Sequence, residues 1–317
     1  MNRNPAIELY RCVLMLGICV LHAAITPGVS RAWLINLLCF CVDGFVFITG
    51  YYGCKFKLSK VMRLLGVGAI CAFICAKGDV RHAINVYCGY WFLHAYVLMM
   101  VFAPLVDAIL EKSINLKVVL PLLFVIFVWG HAPTLPVVGE FVPKTAGLTN
   151  YSGLTLLGVY IIGRLYKKMG LDERLRVVWV AFAAVVFMVL CALGLNEYNS
   201  PTSALLSGCG FFLFSRIKIN SIISKVVFII APSIFAVYLL HQPGCLFSQY
   251  SFVRDCVVKG WNVYWTYFVC GLIVFSGCLV VDIPRRLLGK YLVKIRWKWL
   301  DEFYDKCCDK LQVFLCR

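Results

Sequence analysis

Three ionisable residues on the first apolar stretch of the chain have types and spacing that suit chemistry. Glu8, Arg11 and His22 lie within IELYRCVLMLGICVLHA, which is otherwise apolar enough to cross a membrane. A charged side chain at the bilayer centre costs about 2.5 to 3.5 kcal/mol even on a lenient scale. Residues kept at that cost are expected to face a cavity or another helix and to mark a functional site.

Helical geometry places Arg11 and His22 on one face of this segment. They are eleven residues apart, which corresponds to three turns plus about 20° and an axial rise of about 16.5 Å. Glu8 precedes Arg11 by three residues, so the two side chains are able to pair. Arginine suits an anionic ligand, and histidine suits a general base near neutral pH. The spacing predicts an anion held at one depth and a reacting group at another.

Structural roles compete with this interpretation. Contact with phospholipid headgroups would also explain Arg11, and a hydrogen bond between helices would explain His22. His94, His131 and His241 are further candidates for the base, although His94 would also suit an interhelical hydrogen bond. The choice among the histidines stays open at this point.

The elements that must hold these residues are predicted to be membrane-spanning helices. Of the 317 residues, 62% are apolar and 15% are charged, and long apolar runs recur along the chain. A helix needs about 20 apolar residues to cross the hydrocarbon core, where its backbone groups must be paired internally. The predicted fold class is therefore an all-α integral membrane protein with about ten transmembrane helices. They lie near residues 9–26, 32–53, 61–77, 89–110, 116–131, 150–166, 176–195, 201–215, 226–249 and 263–283.

The distribution of basic residues along the chain predicts how these helices are oriented in the membrane. With a cytoplasmic N-terminus, about 25 of the 31 lysines and arginines fall on the cytoplasmic side, as the positive-inside rule requires. Both termini are therefore predicted to be cytoplasmic. Topology explains the net charge of +16, and no nucleic-acid motif accompanies it. The first segment is expected to be a span, because its apolar run is longer than that of a cleaved signal peptide.

The 17 cysteines do not predict a metal site. Most lie inside apolar segments, where thiols behave as small buried hydrophobes. Their spacing does not match that of metal ligands. We expect neither a metal nor a bound cofactor.

The first segment resembles the acyltransferase 3 family of membrane-bound acyltransferases, which modify envelope glycans. The resemblance rests on an acidic residue, an arginine close behind it, ten intervening residues and a histidine. The second segment, CVDGFVFITGYY at 41–52, is similar to another family pattern. It keeps Asp43, Gly50 and Tyr51, and Thr49 stands where serine is usual.

Further fragments follow the order of the same family. In KFKLSKVMRLL, Lys60 and Arg63 resemble its basic pair on the loop before the third helix. The last fragment is expected to close the final helix. These later fragments are WFLHAYVLMMVFAPLVD (91–107), LLGVYIIGRLYKK (156–168), SIFAVYLLHQP (233–243) and VVDIPRRLL (280–288).

The resemblance implies transfer of an acyl group, usually acetyl, from cytoplasmic acyl-CoA to a sugar hydroxyl. The acceptor would be a cell-envelope polysaccharide or its lipid-linked precursor. From the shared face of the first helix we hypothesise that His22 is the catalytic base or a transient acyl carrier. Arg11 would be a catalytic residue that binds the donor or the developing charge. Lys60 and Arg63 would bind the phosphates of the donor. The expected supporting residues are Glu8, Asp43 and His241.

The expected partners are acyl-CoA as donor substrate, the envelope polysaccharide or lipid-linked sugar, and membrane lipids. The chain is expected in the plasma (inner) membrane, with an acyltransferase 3 domain at 1–284. A basic amphipathic tail at 285–317 would lie along the cytoplasmic surface. Two alternatives remain: a transporter or flippase of an anionic lipid or sugar, and an enzyme that transfers succinyl or longer acyl chains.

Overall fold

The structure is a computed structural model that describes residues 4–112, 115–131, 151–194, 198–242, 249–292 and 298–315. In this part of the chain every regular element is helical, which confirms the all-α fold class. The helices are α1 (Pro5–Ala24), α2 (Ala32–Leu38), α3 (Phe40–Tyr52), α4 (Leu58–Cys75), α5 (Val80–Cys88), α6 (Trp91–Lys112), α7 (Leu116–His131), α8 (Gly153–Lys168), α9 (Leu171–Arg174), α10 (Val177–Ala192), α11 (Pro201–Ser215), α12 (Ser221–Ile230), α13 (Ile234–Leu240), α14 (Gln249–Val258), α15 (Val263–Leu292) and α16 (Lys298–Leu315).

Six helical stretches in the described residues are long and apolar enough to cross a membrane. They are α1, α4, α6 and α15, the pair α2 and α3, and the stretch from α12 through α13. Three shorter apolar helices, α7, α10 and α11, accompany them. Each of the ten predicted segments overlaps one helical stretch, and the chain is a helical membrane protein. The count of ten spans and the cytoplasmic position of both termini stay predictions.

Two of the predicted segments contain a break. The segment at 32–53 is divided at Cys39 into α2 and α3. The segment at 226–249 contains a 3-10 turn, Ala231–Ser233, between α12 and α13. Pro232 lies in that turn and has no backbone N–H to donate, which favours the interruption.

The first predicted segment begins earlier in the structure, and the last one ends later. α1 begins at Pro5 because the Asn4 side chain caps it and proline suits the first helical position. α15 continues through Pro284 to Leu292, so the expectation that the fragment around Asp282 closes this helix is wrong. Proline is tolerated in membrane helices where neighbouring groups satisfy the freed backbone. The domain division at residue 284 stays a prediction.

Glycines bring α3 and α8 into close contact. A β-carbon on Gly50 would collide with the backbone carbonyl of Tyr160. A β-carbon on Gly163 would lie 2.5 Å from the Phe47 carbonyl oxygen. Small residues at helix interfaces allow backbones to approach closely in membranes. Two fragments singled out in the sequence, those that contain Gly50 and Gly163, thus pack against each other.

The ends of α3, α8 and α11 meet in what we call the basic end of the bundle, where Lys167 and Arg216 lie. The Tyr51 hydroxyl donates to Asp172 Oδ2 at 2.5 Å. Lys167 donates to the same oxygen at 3.2 Å, and Arg216 donates to the Asp172 carbonyl. Burial favours a higher pKa for Asp172, but the hydrogen bonds from Tyr51 and Lys167 outweigh it and lower the pKa. The charge predictions place this end in the cytoplasm.

A largely buried ion pair fixes the chain beside this cluster. Arg164 Nε on α8 lies 2.7 Å from Asp107 Oδ1 on α6. The Tyr160 hydroxyl donates to Asp107 at 2.9 Å and accepts from the Cys54 backbone N–H at 3.0 Å. The network therefore holds the turn between α3 and α4, which leads to the predicted basic pair.

Candidate active site

One stripe of α1 faces a cavity. Arg11, Met15 and Ile18 line a cavity of about 230 Å³. His22 is one turn beyond Ile18 on the same stripe, because residues at i, i+4, i+7 and i+11 share a helix face. The face predicted from the spacing of Arg11 and His22 is thus the face that borders the cavity.

The walls of the cavity are mostly apolar and come from α1, α3, α4, α6 and the stretch around α13. Arg11, Thr49, Tyr96 and Tyr238 are its polar lining residues. Thr49 donates its single hydroxyl hydrogen to the Phe45 carbonyl at 2.9 Å. The Tyr96 hydroxyl, 2.9 Å from Thr49 Oγ1, must therefore be the donor in that contact. An apolar cavity with a few fixed polar groups is typical of small-molecule sites.

Arg11 is held by the partner that its spacing predicts. Its Nη1 lies 3.4 Å from Glu8 Oε1, with 34% of the arginine side chain and 7% of the glutamate side chain exposed. Among the described residues, Glu8 Oε1 is the only atom that accepts a hydrogen bond from the Arg11 side chain. A guanidinium carries five N–H donors. Arg11 therefore has donors left for an anion.

His22 stacks on His241. The ring centroids are 4.6 Å apart and the planes differ by 13°. His22 Nδ1 is buried and has no hydrogen-bond partner in the described part of the chain. His241 Nδ1 lies 2.7 Å from the Tyr238 carbonyl oxygen and 3.1 Å from the Val237 carbonyl oxygen. Since a nitrogen facing carbonyl oxygens must carry the proton, His241 Nδ1 is the donor and its ring is fixed.

Tyr238 connects the cavity to the histidine pair. Its side chain lines the cavity, and its ring centroid is 5.9 Å from that of His241. Sequence reasoning did not select Tyr238, although it stands three residues before His241 and so shares its helix face. Tyr96 was also missed, because only the fold brings its hydroxyl to Thr49.

The predicted basic pair lies on a helix that borders the cavity. Lys60 and Arg63 are exposed residues near the start of α4, and Leu64 from the same helix lines the cavity. Lys60 is four residues before Leu64 and therefore lies on the same helix face, one turn nearer the basic end. Neither cation forms an ion pair with a residue that the structure describes.

The structure separates Asp43 from this stripe. The α3 wall of the cavity consists of Val42, Phe45 and Thr49, whereas Asp43 is completely buried beside Ser203 and the backbone of Asn199. Neither carboxylate oxygen has a regular hydrogen bond to a described residue. Asp43 therefore belongs to the contact between α3 and the start of α11.

Apart from His241, the other candidate histidines described by the structure do not contact His22. His94 is exposed, and its ring lies 5.3 Å from that of Tyr87 on α5. His82 is also exposed. The side chain of His131 lies outside the described residues. Among the histidine side chains in the described part, His241 is the one that meets His22.

These features define a membrane-embedded protein with a small, mostly apolar cavity that Arg11 lines and with a histidine pair next to its Tyr238 wall. A family model described as an acyltransferase domain matches residues 4–282. The chain belongs to the acyltransferase 3 family, which confirms the resemblance and makes it an acyltransferase with an acyl donor and, in general, a carbohydrate acceptor. No curated protein and no solved structure has a significant match to the chain.

Proposed function

We propose that the protein transfers an acetyl group from cytoplasmic acetyl-CoA to a sugar hydroxyl. The acceptor in this proposal is a cell-envelope polysaccharide or its lipid-linked precursor. The reaction would take place in the plasma membrane, with the basic end of the bundle in the cytoplasm. Membership in an acyltransferase family supports chemistry over transport.

The cavity that Arg11 lines, with the histidine pair next to its Tyr238 wall, is the observation that carries this proposal. Its volume of about 230 Å³ is below the range of roughly 300 to 1,000 Å³ typical of whole small-molecule sites. A cavity of this size suits a short acyl group and part of its carrier arm. Arg11 and His22 differ by about 16.5 Å in depth along α1. A donor with its phosphates near Arg11 therefore needs a long, flexible arm to reach His22, and coenzyme A has one.

The proposed step is a direct transfer with His22 as the general base. The acceptor oxygen forms a bond to the acyl carbon while His22 Nδ1 takes the hydroxyl proton. The carbon–sulfur bond of the thioester breaks, and the proton passes to the departing thiolate. His241 acts as a positioning residue, because it stacks on His22 and its own ring is fixed by backbone carbonyls. Arg11, Lys60 and Arg63 bind the anionic part of the donor.

The test is transfer of radiolabelled acetyl from acetyl-CoA to envelope polysaccharide in membranes at matched expression. We expect label transfer by the wild type and its loss in His22→Ala. His94→Ala is the matched control, since it removes an exposed histidine from another helix. Free CoA released in the same reactions separates an enzyme from a transporter, which would leave acetyl-CoA intact. Equal transfer by wild type and His22→Ala would exclude His22 as the base.

A covalent acyl-histidine is the alternative route, and a trapping experiment distinguishes it. Wild-type protein is incubated with labelled acetyl-CoA in the absence of acceptor and then denatured. Direct transfer predicts no label on the protein. Label on the wild type but not on His22→Ala would replace the direct step with a two-step one. Parallel reactions with succinyl-CoA test whether the cavity limits the acyl chain.

A further inference from the structure

The tail helix contacts the start of α4 through a single carboxylate. Asp301 Oδ1 on α16 accepts from the Ser59 backbone N–H at 2.9 Å. Asp301 Oδ2 accepts from the Ser59 hydroxyl at 2.7 Å. A second contact lies beside it, where the rings of Tyr304 and of Phe56, two residues before α4, are 5.5 Å apart. The tail is therefore docked at the start of α4 by both polar and aromatic groups.

Asp301 supplies a cap that α4 lacks. The first N–H groups of a helix have no partner inside the helix and need an acceptor at the N-cap. Lys57 occupies the N-cap position of α4 and makes no side-chain cap hydrogen bond. Asp301 instead accepts from the second residue of the helix, which is the contact that a local cap would make. The end of the chain thus completes the beginning of α4.

The Asp301 cap does not pair with the neighbouring Lys60 and Arg63, which therefore stay available to bind an anionic ligand. Both Asp301 oxygens bind Ser59, and neither Lys60 nor Arg63 forms an ion pair in the described residues. The hydrogen bonds from Ser59 lower the pKa of Asp301, and the charges of Lys57 and Arg63 act in the same direction. The carboxylate is therefore ionised at neutral pH and orders the turn that presents Lys60 and Arg63.

We propose that Asp301 is a positioning residue for the acyl donor, by which α16 holds the first turn of α4 in its donor-binding conformation. The inference rests on the proposed role of Lys60 and Arg63 in binding coenzyme A. It assigns the tail a part in the reaction beyond that of a membrane anchor.

The test measures binding of free CoA to the full chain in lipid nanodiscs by calorimetry. We expect Asp301→Ala to weaken binding about fivefold, the effect of removing one helix cap, and Ser59→Ala to have a smaller effect because its backbone N–H remains. Asp305→Asn is the matched control, since it removes the same charge from an exposed position one turn further along α16. The midpoint of thermal unfolding is measured for each variant and is expected to stay within a few degrees of wild type.

A rescue experiment separates capping from other roles of the tail. In the Asp301→Ala background, Lys57→Ser gives α4 its own cap, whereas Lys57→Ala removes the same charge without one. Positioning by capping predicts that the serine variant binds CoA more tightly than the alanine variant. Equal binding by these two double variants would overturn the capping role.

Three further outcomes of the CoA-binding measurement would overturn the inference. Tighter CoA binding by Asp301→Ala would mean that α16 obstructs the donor site, and the inference would be wrong. Binding equal to wild type would also overturn it while leaving the proposed function intact. Absence of CoA binding in the wild type would overturn the donor assignment itself, and with it this inference.

Discussion

The two ends of α1 carry functional groups in different surroundings. At the basic end Arg11 is paired with Glu8 but one third of its side chain is exposed, and exposed cations on α4 lie nearby. At the other end His22 Nδ1 is buried and the ring stacks on a fully buried His241. A partly exposed cation suits a charged ligand that arrives from water, whereas a buried, stacked imidazole suits a reacting group. We therefore expect changes at the first end to affect donor binding and changes at the second to affect turnover.

The ion pair of Asp107 with Arg164 is a purely structural site, and it serves as the reference for this comparison. Breaking it is the change with the largest expected effect. Asp107→Ala would leave the Arg164 guanidinium buried without its partner, which costs about 3 to 5 kcal/mol. We expect a marked fall in the midpoint of thermal unfolding in detergent, as followed by size-exclusion chromatography after heating. His22→Ala is expected to unfold near the wild-type temperature. If both variants lost stability equally, the histidine pair would be structural and the contrast between the two ends would fail.

Contacts within one helix were predictable from the sequence. The pairing of Glu8 with Arg11 follows from a spacing of three residues, and the shared face of Arg11 and His22 follows from helical geometry. The apolar segments were predictable for the same reason, because membrane thickness sets the length of an apolar run. These rules depend on local sequence alone.

Contacts between helices were not predictable in this way. The stack of His22 on His241 and the cap from Asp301 to Ser59 join distant parts of the chain, and only the packing of whole helices brings them together. The surroundings of Asp43 were unpredictable for the same reason, since its position on α3 does not determine which neighbouring helix it faces. It packs towards α11 rather than the cavity. The continuation of α15 past Pro284 was missed because proline usually ends helices in water.

The second prediction concerns His241 and turnover. If His241 positions His22, His241→Ala should lower kcat about tenfold or more, which is part of the 10²- to 10⁴-fold that a positioned general base contributes. The KM for acetyl-CoA should not change, because the donor phosphates are proposed to bind at the other end of α1. His82→Ala, at an exposed histidine, is the control in the same labelled-acetyl assay. A raised KM with an unchanged kcat would place His241 in donor binding instead.

The third prediction concerns Arg11 and donor binding. Arg11→Gln should raise the KM for acetyl-CoA about tenfold, since a hydrogen bond to a charged group contributes about 1.5 kcal/mol or more. The exposed Arg31→Gln is the control, because it removes an arginine that lies after α1, at the N-cap of α2, and does not line the cavity. Glu8 would be left buried and unpaired, so the double variant Glu8→Gln/Arg11→Gln is measured beside it. A fall in kcat at constant KM would mean that Arg11 acts on the reacting atoms.

The fourth and smallest effect is expected at Lys60, an exposed cation. Lys60→Ala should raise the KM for acetyl-CoA about two- to fivefold, because an ion pair in contact with water contributes roughly 1 kcal/mol or less. The difference from wild type should shrink as salt rises, since the Debye length falls from about 10 Å at 0.1 M to about 3 Å at 1 M. Lys117→Ala, another exposed lysine that does not line the cavity, should match wild type at every salt concentration. If the effect of Lys60→Ala on KM persisted at 1 M salt, Lys60 would contribute through packing instead of charge. The contrast between a charged donor-binding end and a catalytic end would then rest on Arg11 and Arg63.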